Sequence, residues 1–386
     1  MPLPRTPVDR LQSFQPPFCP RRDCPEHRRT RPGFRYRVHT TYPNARGRRI
    51  QRFLCLTCRK TFSQRAFSAF YYLKRPDLLL PVAALLNAGA GHRQIARSLG
   101  CAHSTVTRLS ARLGRHALLL QARALNELEG TLDEPVVFDH FESFEFSQDL
   151  PFGVATPVGA NSWFCYALDP APHRRVGRRS PAQQKRVASR PRRVTHGGFE
   201  GSTSRILGRL LGLVGGKHKL QLVGDGHPAY DVAVARHPER DRIRLRRFPN
   251  PVRGPKGSAR SDKAVVRDRA MFPVDLLHGL LRHSLAAHKR ETIAFGKRLN
   301  AILERLYLAA VWRNFVKGVS ERRGDRTTPA MRLALTDEPW TWARVMSRRL
   351  FPDREKLTEL QHMLYRRDWI TPVLPSNTRH RLRLAY

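Results

Sequence analysis

The sequence predicts a multidomain chain: a small zinc-knuckle unit, an all-α helix-turn-helix, and a mixed α/β domain with a helical C-terminal region. Three observations predict it. Two close cysteine pairs, Cys19/Cys24 and Cys55/Cys58, are separated by about thirty residues. Residues 76–116 alternate apolar helical stripes with a glycine turn, and residues 136–248 alternate strand-like runs with amphipathic ones.

The 386 residues have room for two or three domains. No apolar run reaches the length of a membrane helix and Met1–Arg10 lacks the apolar core of a signal peptide, so a cytoplasmic protein without a membrane partner is expected. There are 71 Lys+Arg against 31 Asp+Glu, a formal net charge of +40. Such a field attracts polyanions, and double-stranded DNA is the expected partner because each neutralised phosphate releases counterions. A solvated basic surface is the plainer alternative.

In residues 16–64, Cys55-Leu-Thr-Cys58 has the usual knuckle spacer and Cys19-x4-Cys24 an expanded one. Four thiolates from two such knuckles suit one tetrahedral, structural Zn²⁺, with His27 and His39 as nearby substitutes. So small a unit cannot bury a core of its own, and metal would supply its folding energy. The arginines crowded between the pairs are either solvated or in contact with a DNA backbone.

Residues 72–127 follow as a DNA-binding unit and its connector. Ala96, Gly100 and Val106 have the spacing of a helix-turn-helix: a small residue at the crossing, a turn glycine, and a β-branched residue packing the second helix back. Ser104 is the expected N-cap of that second helix, and Ser104, Thr105, Thr107, Arg108 and Arg112 are the side chains offered to a major groove. A plain helical hairpin is the alternative.

Within residues 135–317, strands are expected at 136–144, 150–158 and 163–168, the first carrying Asp139. Residues 170–199, almost free of acids, read as a basic loop, either disordered or ordered only on DNA. A helix near 204–216 and a strand at Leu220–Val223 follow, the latter running into Gly224-Asp225-Gly226. Alone, an aspartate there is more often a turn residue than a metal ligand. A helix at 229–237, a strand at 242–248 and a long helical region opening at Pro273 complete the domain, with Gly296 a possible interruption. Residues 318–386 form a basic C-terminal region with no legible role.

Three strands with Asp139 on the first, a helix, a fourth strand ending at Asp225, then helix, strand and helix is a ribonuclease H-like order of elements. In that fold the first and fourth strands lie side by side, so Asp139 and Asp225 would face one another. Hard carboxylate oxygens favour Mg²⁺ or Mn²⁺, and two ions about 4 Å apart suit phosphoryl transfer.

At this point the chain resembles the DDE-type insertion-sequence transposases of bacteria, which carry an N-terminal zinc ribbon and helix-turn-helix. The resemblance covers about residues 16–317. It rests on the order of modules, on Cys55-Leu-Thr-Cys58-Arg-Lys-Thr-Phe-Ser63, and on Arg290-Glu-Thr-Ile-Ala-Phe295. It implies metal-dependent cleavage at transposon ends and joining of the freed 3′-OH to target DNA, by at least a homodimer at the nucleoid. It also implies Asp139 and Asp225 as the first two catalytic acids. For the third, Asp275 has the relatives' spacings to Arg282 and Arg290, but an aspartate stands where they have glutamate; Glu291 and Glu304 are rivals. Glu142 lies on the other face of the Asp139 strand. A catalytically silent zinc-dependent DNA-binding regulator, or a nuclease of this fold that cuts without joining, are the alternative readings.

Overall fold

The computed structural model describes residues 14–28, 33–43, 47, 49–189, 193–216, 218–252, 254–255, 257–289 and 292–372. Arg290 and Glu291 lie outside them, so the third-acid rival Glu291 and the start of the Arg290–Phe295 block are not described further.

The N-terminal unit is a three-stranded antiparallel sheet, β1 (Tyr36–Pro43), β2 (Arg49–Cys55) and β3 (Thr61–Ser63), in that order. Cys55 closes β2 and Cys58 lies in the turn before β3, so the second knuckle is a hairpin turn. Arg59, at φ +56°, takes the left-handed residue of that turn. A small aromatic cluster (Phe53, Phe62, Phe67) backs the sheet, and Phe351 of the C-terminal region completes it.

Three helices follow: α1 (Leu79–Asn87), α2 (His92–Ser98) and α3 (His103–Glu127). Ala96 and Val106 are buried at the α2–α3 crossing and Gly100 takes φ +58° in the turn, as the spacing predicts. Two details differ. The N-cap position of α3 belongs to Ala102, so Ser104 is the second residue inside the helix. The connector is also no separate element, because α3 continues unbroken for 25 residues. Residues 111–122 of α3 are buried on every side, since α8 (Leu299–Val311) crosses it closely. Gly114 sits at that crossing: a Cβ there would lie 2.3 Å from the Glu304 carbonyl oxygen and 2.5 Å from its Cα. Backbone atoms cannot step aside as a flexible side chain can, so Gly114→Ala is expected to lower unfolding stability by about 1–3 kcal/mol, the usual cost of overpacking, measured by urea denaturation.

The α/β unit is built on a strand broken in two, β4 (Val136–Phe138) and β5 (His140–Phe144), with Asp139 at the break. β5 pairs antiparallel with β6 (Pro151–Ala155), and β6 with β8 (Asp169–Pro172). β4 pairs with the short β7 (Val158–Gly159) on one side and, in parallel, with β9 (Leu220–Gly224) on the other. β10 (Ile243–Arg247) continues the parallel set beyond β9. The helices are α4 (Pro181–Ala188), α5 (Gly198–Leu213), α6 (Pro228–Arg236) and α7 (Asp262–Ser284), α7 packing across β4 and β9. One continuous core joins α1–α3, this sheet, α8 and the C-terminal region, whose helices are α9 (Pro329–Arg332), α10 (Trp342–Val345) and α11 (Glu359–Arg366).

Four sequence expectations are corrected here. The third strand is 169–172, not 163–168. The aromatic run Phe164–Tyr166 is buried and meets the β7 segment only through an isolated bridge. The Phe164 carbonyl accepts from the Gly159 N–H and the Tyr166 N–H donates to the Pro157 carbonyl, while side-chain amides take the Cys165 backbone groups on its other side. Gln121 donates to the Cys165 carbonyl at 2.7 Å, and Asn314 accepts from the Cys165 N–H and donates to its carbonyl, both at 2.9 Å. β8 holds Pro170 and Pro172, which a sheet tolerates because β8 is an edge strand. The basic loop contains the helix α4, started by a capping box of Ser180 and Gln183. The helical region opens at Asp262 under a Ser261 cap rather than at Pro273, which is buried inside α7. It then breaks after Ser284, and the next α-helix, α8, opens at Leu299.

The C-terminal region closes the molecule. Glu145, fully buried, accepts from Arg193 Nη2 at 2.6 Å, from the Leu299 N–H at 2.7 Å and from the Thr371 hydroxyl at 2.9 Å. One carboxylate thus ties three distant segments, each bond charge-assisted.

Candidate functional site

At the ribbon, the sulfurs of Cys19, Cys24, Cys55 and Cys58 all lie within 4.8 Å of one another. The Cys19–Cys58 and Cys24–Cys55 separations are both 3.8 Å. A tetrahedral zinc with bonds near 2.3 Å spaces its sulfurs by about 3.8 Å, so the residues fit a structural zinc. Burial, and then the other three sulfurs, push the Cys19 thiol far up, the electrostatic conflict that a cation at the centre resolves. His27 is occupied elsewhere, its Nδ1 2.8 Å from the Cys19 carbonyl and its ring edge-on to Phe18 and Phe351. His39 is exposed on β1.

In the α/β unit the β4–β9 register sets Phe138 opposite Gly224, so the next residues along the two parallel strands are Asp139 and Asp225. Both use Oδ1 within the protein. Asp139 Oδ1 accepts from the His140 N–H at 2.7 Å and the Tyr230 hydroxyl at 3.2 Å. Asp225 Oδ1 accepts from the His227 N–H at 3.0 Å, so the turn role open to it in the sequence is real, and it leaves Oδ2 available. Burial, then the Asp225 charge, push the Asp139 carboxyl up to about 7, with Asp275 adding to the rise. Asp275, on α7, is therefore within electrostatic reach of Asp139. It is half-exposed and held by the guanidinium of Arg267.

Glu304 is placed elsewhere. It is buried against α3 with Oε1 3.9 Å from Arg115 Nε, and burial raises its carboxyl against the pull of Arg115, Arg367 and Arg305. Glu142 is exposed on β5.

Sequence reasoning missed His278. One turn beyond Asp275 on α7, it reaches Asp139: Nδ1 stands 3.8 Å from Oδ2, and Nε2 2.7 Å from Thr156 Oγ1. The single Thr156 hydroxyl proton goes to the Asp139 carbonyl at 2.9 Å, so Thr156 accepts from His278 Nε2–H. Nδ1 is then an acceptor turned toward a carboxylate oxygen, an arrangement that a proton or a cation between them relieves. The signal was present as Asp275-x-x-His278, a spacing that puts both on one helix face. Tyr230 was missed too: its hydroxyl stands between Asp139 and His140 Nδ1, 3.0 Å from the latter.

Carboxylate oxygens such as those of Asp139, Asp225 and Asp275 are donors of the kind that hard divalent cations prefer. Among the described residues, though, the four cysteines are the one set of three or more ligand side chains already gathered closely enough to hold an ion.

On the helix-turn-helix, Ser104, Thr107 and Arg108 are exposed and Thr105 is half-buried. Thr107 Oγ1 donates back to the His103 carbonyl at 3.1 Å. Arg112 does not face outward. It is 7% exposed, its Nε donating to the Ala69 carbonyl at 3.1 Å and its Nη2 to the Tyr71 carbonyl, so it ties α3 to the segment leaving the ribbon.

No protein-family profile, curated protein or solved structure matches this chain. No described helix is long and apolar enough to cross a membrane.

Proposed function

We propose that the chain is a DDE-type DNA transposase of a bacterial insertion sequence, acting at the nucleoid as at least a homodimer. On this reading the ribbon and helix-turn-helix bind the terminal inverted repeats, and the α/β domain, ribonuclease H-like in strand order, cleaves and joins DNA strands. The observation that carries it is the parallel β4–β9 register ending at Asp139 and Asp225, with Asp275 near enough to raise the Asp139 carboxyl further.

Asp139, Asp225 and Asp275 would hold Mg²⁺ or Mn²⁺, which when bound stabilises charge on a phosphate under attack. The chain's own contribution is orientation. The His140 N–H and Tyr230 hydroxyl fix Asp139 Oδ1, and the His227 N–H fixes Asp225 Oδ1, so both Oδ2 atoms stay available. Exposed α4, with Lys185 and Arg186 in its last turn, offers charge to flanking or target phosphates.

The test is incubation of the purified chain with Mg²⁺ or Mn²⁺ and DNA carrying the inverted repeats that flank its gene. Nicking at the ends followed by a joined product is the expected result. Cutting without joining would leave a nuclease. The Arg267 pairing of Asp275 favours a regulator instead, and tight DNA binding without metal-dependent nicking would decide for it.

A further inference from the structure

The ribbon carries a recess that the proposed chemistry does not use. Tyr42, Arg52, Ser63, Arg65, Tyr71 and Tyr72 line a space of about 370 Å³, toward the small end of the range for ligand sites. Among the described residues, no carboxylate lines it. Tyr72 is 60% exposed and sits at φ +58°, a left-handed conformation that bulky residues avoid unless their surroundings hold them there. Its ring meets that of Tyr71 edge to face, centroids 4.5 Å apart at 78°, a contact that takes at most one face of either ring. Arg52 is steadied by Thr61 Oγ1 at 2.7 Å. Among the described residues, the half-buried Arg65 guanidinium has no hydrogen-bond or ion-pair partner.

We propose that this recess binds one unpaired base of a DNA strand, its ring stacked on Tyr72 and an adjoining phosphate taken by Arg52 and Arg65. Aromatic faces beside guanidinium groups are the chemistry of single-strand binding: the π-face accepts any base, and the cations track the backbone. A paired base hides its faces in the stack, so the occupant is a frayed, extruded or single-stranded nucleotide. The proposal rests on the nucleic-acid reading and adds to it an unstacked-base subsite, separate from the carboxylates.

The full chain is titrated into a single-stranded oligodeoxynucleotide with one 2-aminopurine, into the same strand abasic at that position, and into its duplex. Wild type is expected to quench the 2-aminopurine and to bind the abasic strand more weakly. Tyr72→Ala is expected to weaken single-strand binding about tenfold, with duplex binding changed by less than about twofold, and Tyr72→Phe to restore it. Arg65→Ala gives an independent loss. If Tyr72→Ala keeps the quench and the single-strand affinity, or the abasic strand binds as well as the intact one, the subsite is refuted while duplex binding still stands. A chain that binds neither form refutes the nucleic-acid reading with it.

Discussion

Asp139→Asn is expected to abolish strand cleavage and joining while leaving the protein folded. The side-chain oxygen that accepts from the His140 N–H and the Tyr230 hydroxyl survives in asparagine, so the local hydrogen bonds can persist. What is lost is the carboxylate charge. That charge is uncomfortable in the folded chain, where burial and then Asp225 hold the Asp139 carboxyl near 7. Removing it therefore costs no stability, and an unfolding midpoint equal to or above wild type is expected. Activity should fall at least about a thousandfold, equivalent to roughly 4 kcal/mol of transition-state stabilisation. Asp225→Asn should match it. Asp275→Asn should lose activity too, but at a half-exposed position already paired with Arg267 it should change the midpoint least. Gel assays of cleavage beside thermal melts separate the effects; a variant that melts normally and still cleaves removes that residue from the chemistry.

Cys55→Ser is expected to unfold the ribbon and spare the α/β unit. Cys55 is fully buried, its N–H donates to the Lys60 carbonyl at 3.1 Å, and its sulfur is one of the four gathered at the knuckles. Behind it lies only a small aromatic cluster, separate from the main core. Structural zinc contributes on the order of 10 kcal/mol to such units, far more than that cluster supplies. Zinc content should fall from about one equivalent per chain, and limited proteolysis should open the chain before residue 67 while leaving a resistant fragment. Phe351, which packs on the ribbon cluster, should loosen with it. Full zinc content and unchanged proteolysis would contradict the site.

What was legible in the sequence depended on local chemistry. The cysteine knuckles, the Ala96-Gly100-Val106 turn, and the strand run into Gly224-Asp225-Gly226 each carry their instruction within a few residues. Strand adjacency followed from the order of elements, and with it the meeting of Asp139 and Asp225. Two of the misreadings came from partners distant in the chain. Arg112 has the helical phase of an exposed residue near Arg108, but the backbone at Ala69 and Tyr71 covers it. Phe164–Tyr166 has a strand's composition, but beyond one bridge to Val158 its Cys165 backbone groups are taken by Gln121 and Asn314 rather than by a second strand. Pro273 resembled a helix start because prolines favour that position, while Ser261 had already begun the helix twelve residues earlier. The role of the C-terminal region could not be read locally at all, since it lies in contacts such as Glu145 with Thr371, 226 residues apart.

The central claim is that Asp139, Asp225 and Asp275 form one cation site, and ferrous iron tests it most directly. Bound in place of the native ion with ascorbate and peroxide, iron generates radicals that cut the backbone nearby. Fragment ends near residues 139, 225 and 275, lost together in Asp139→Asn and suppressed by excess Mg²⁺, are the predicted result. Cuts absent from all three, or unchanged in Asp139→Asn, would contradict it.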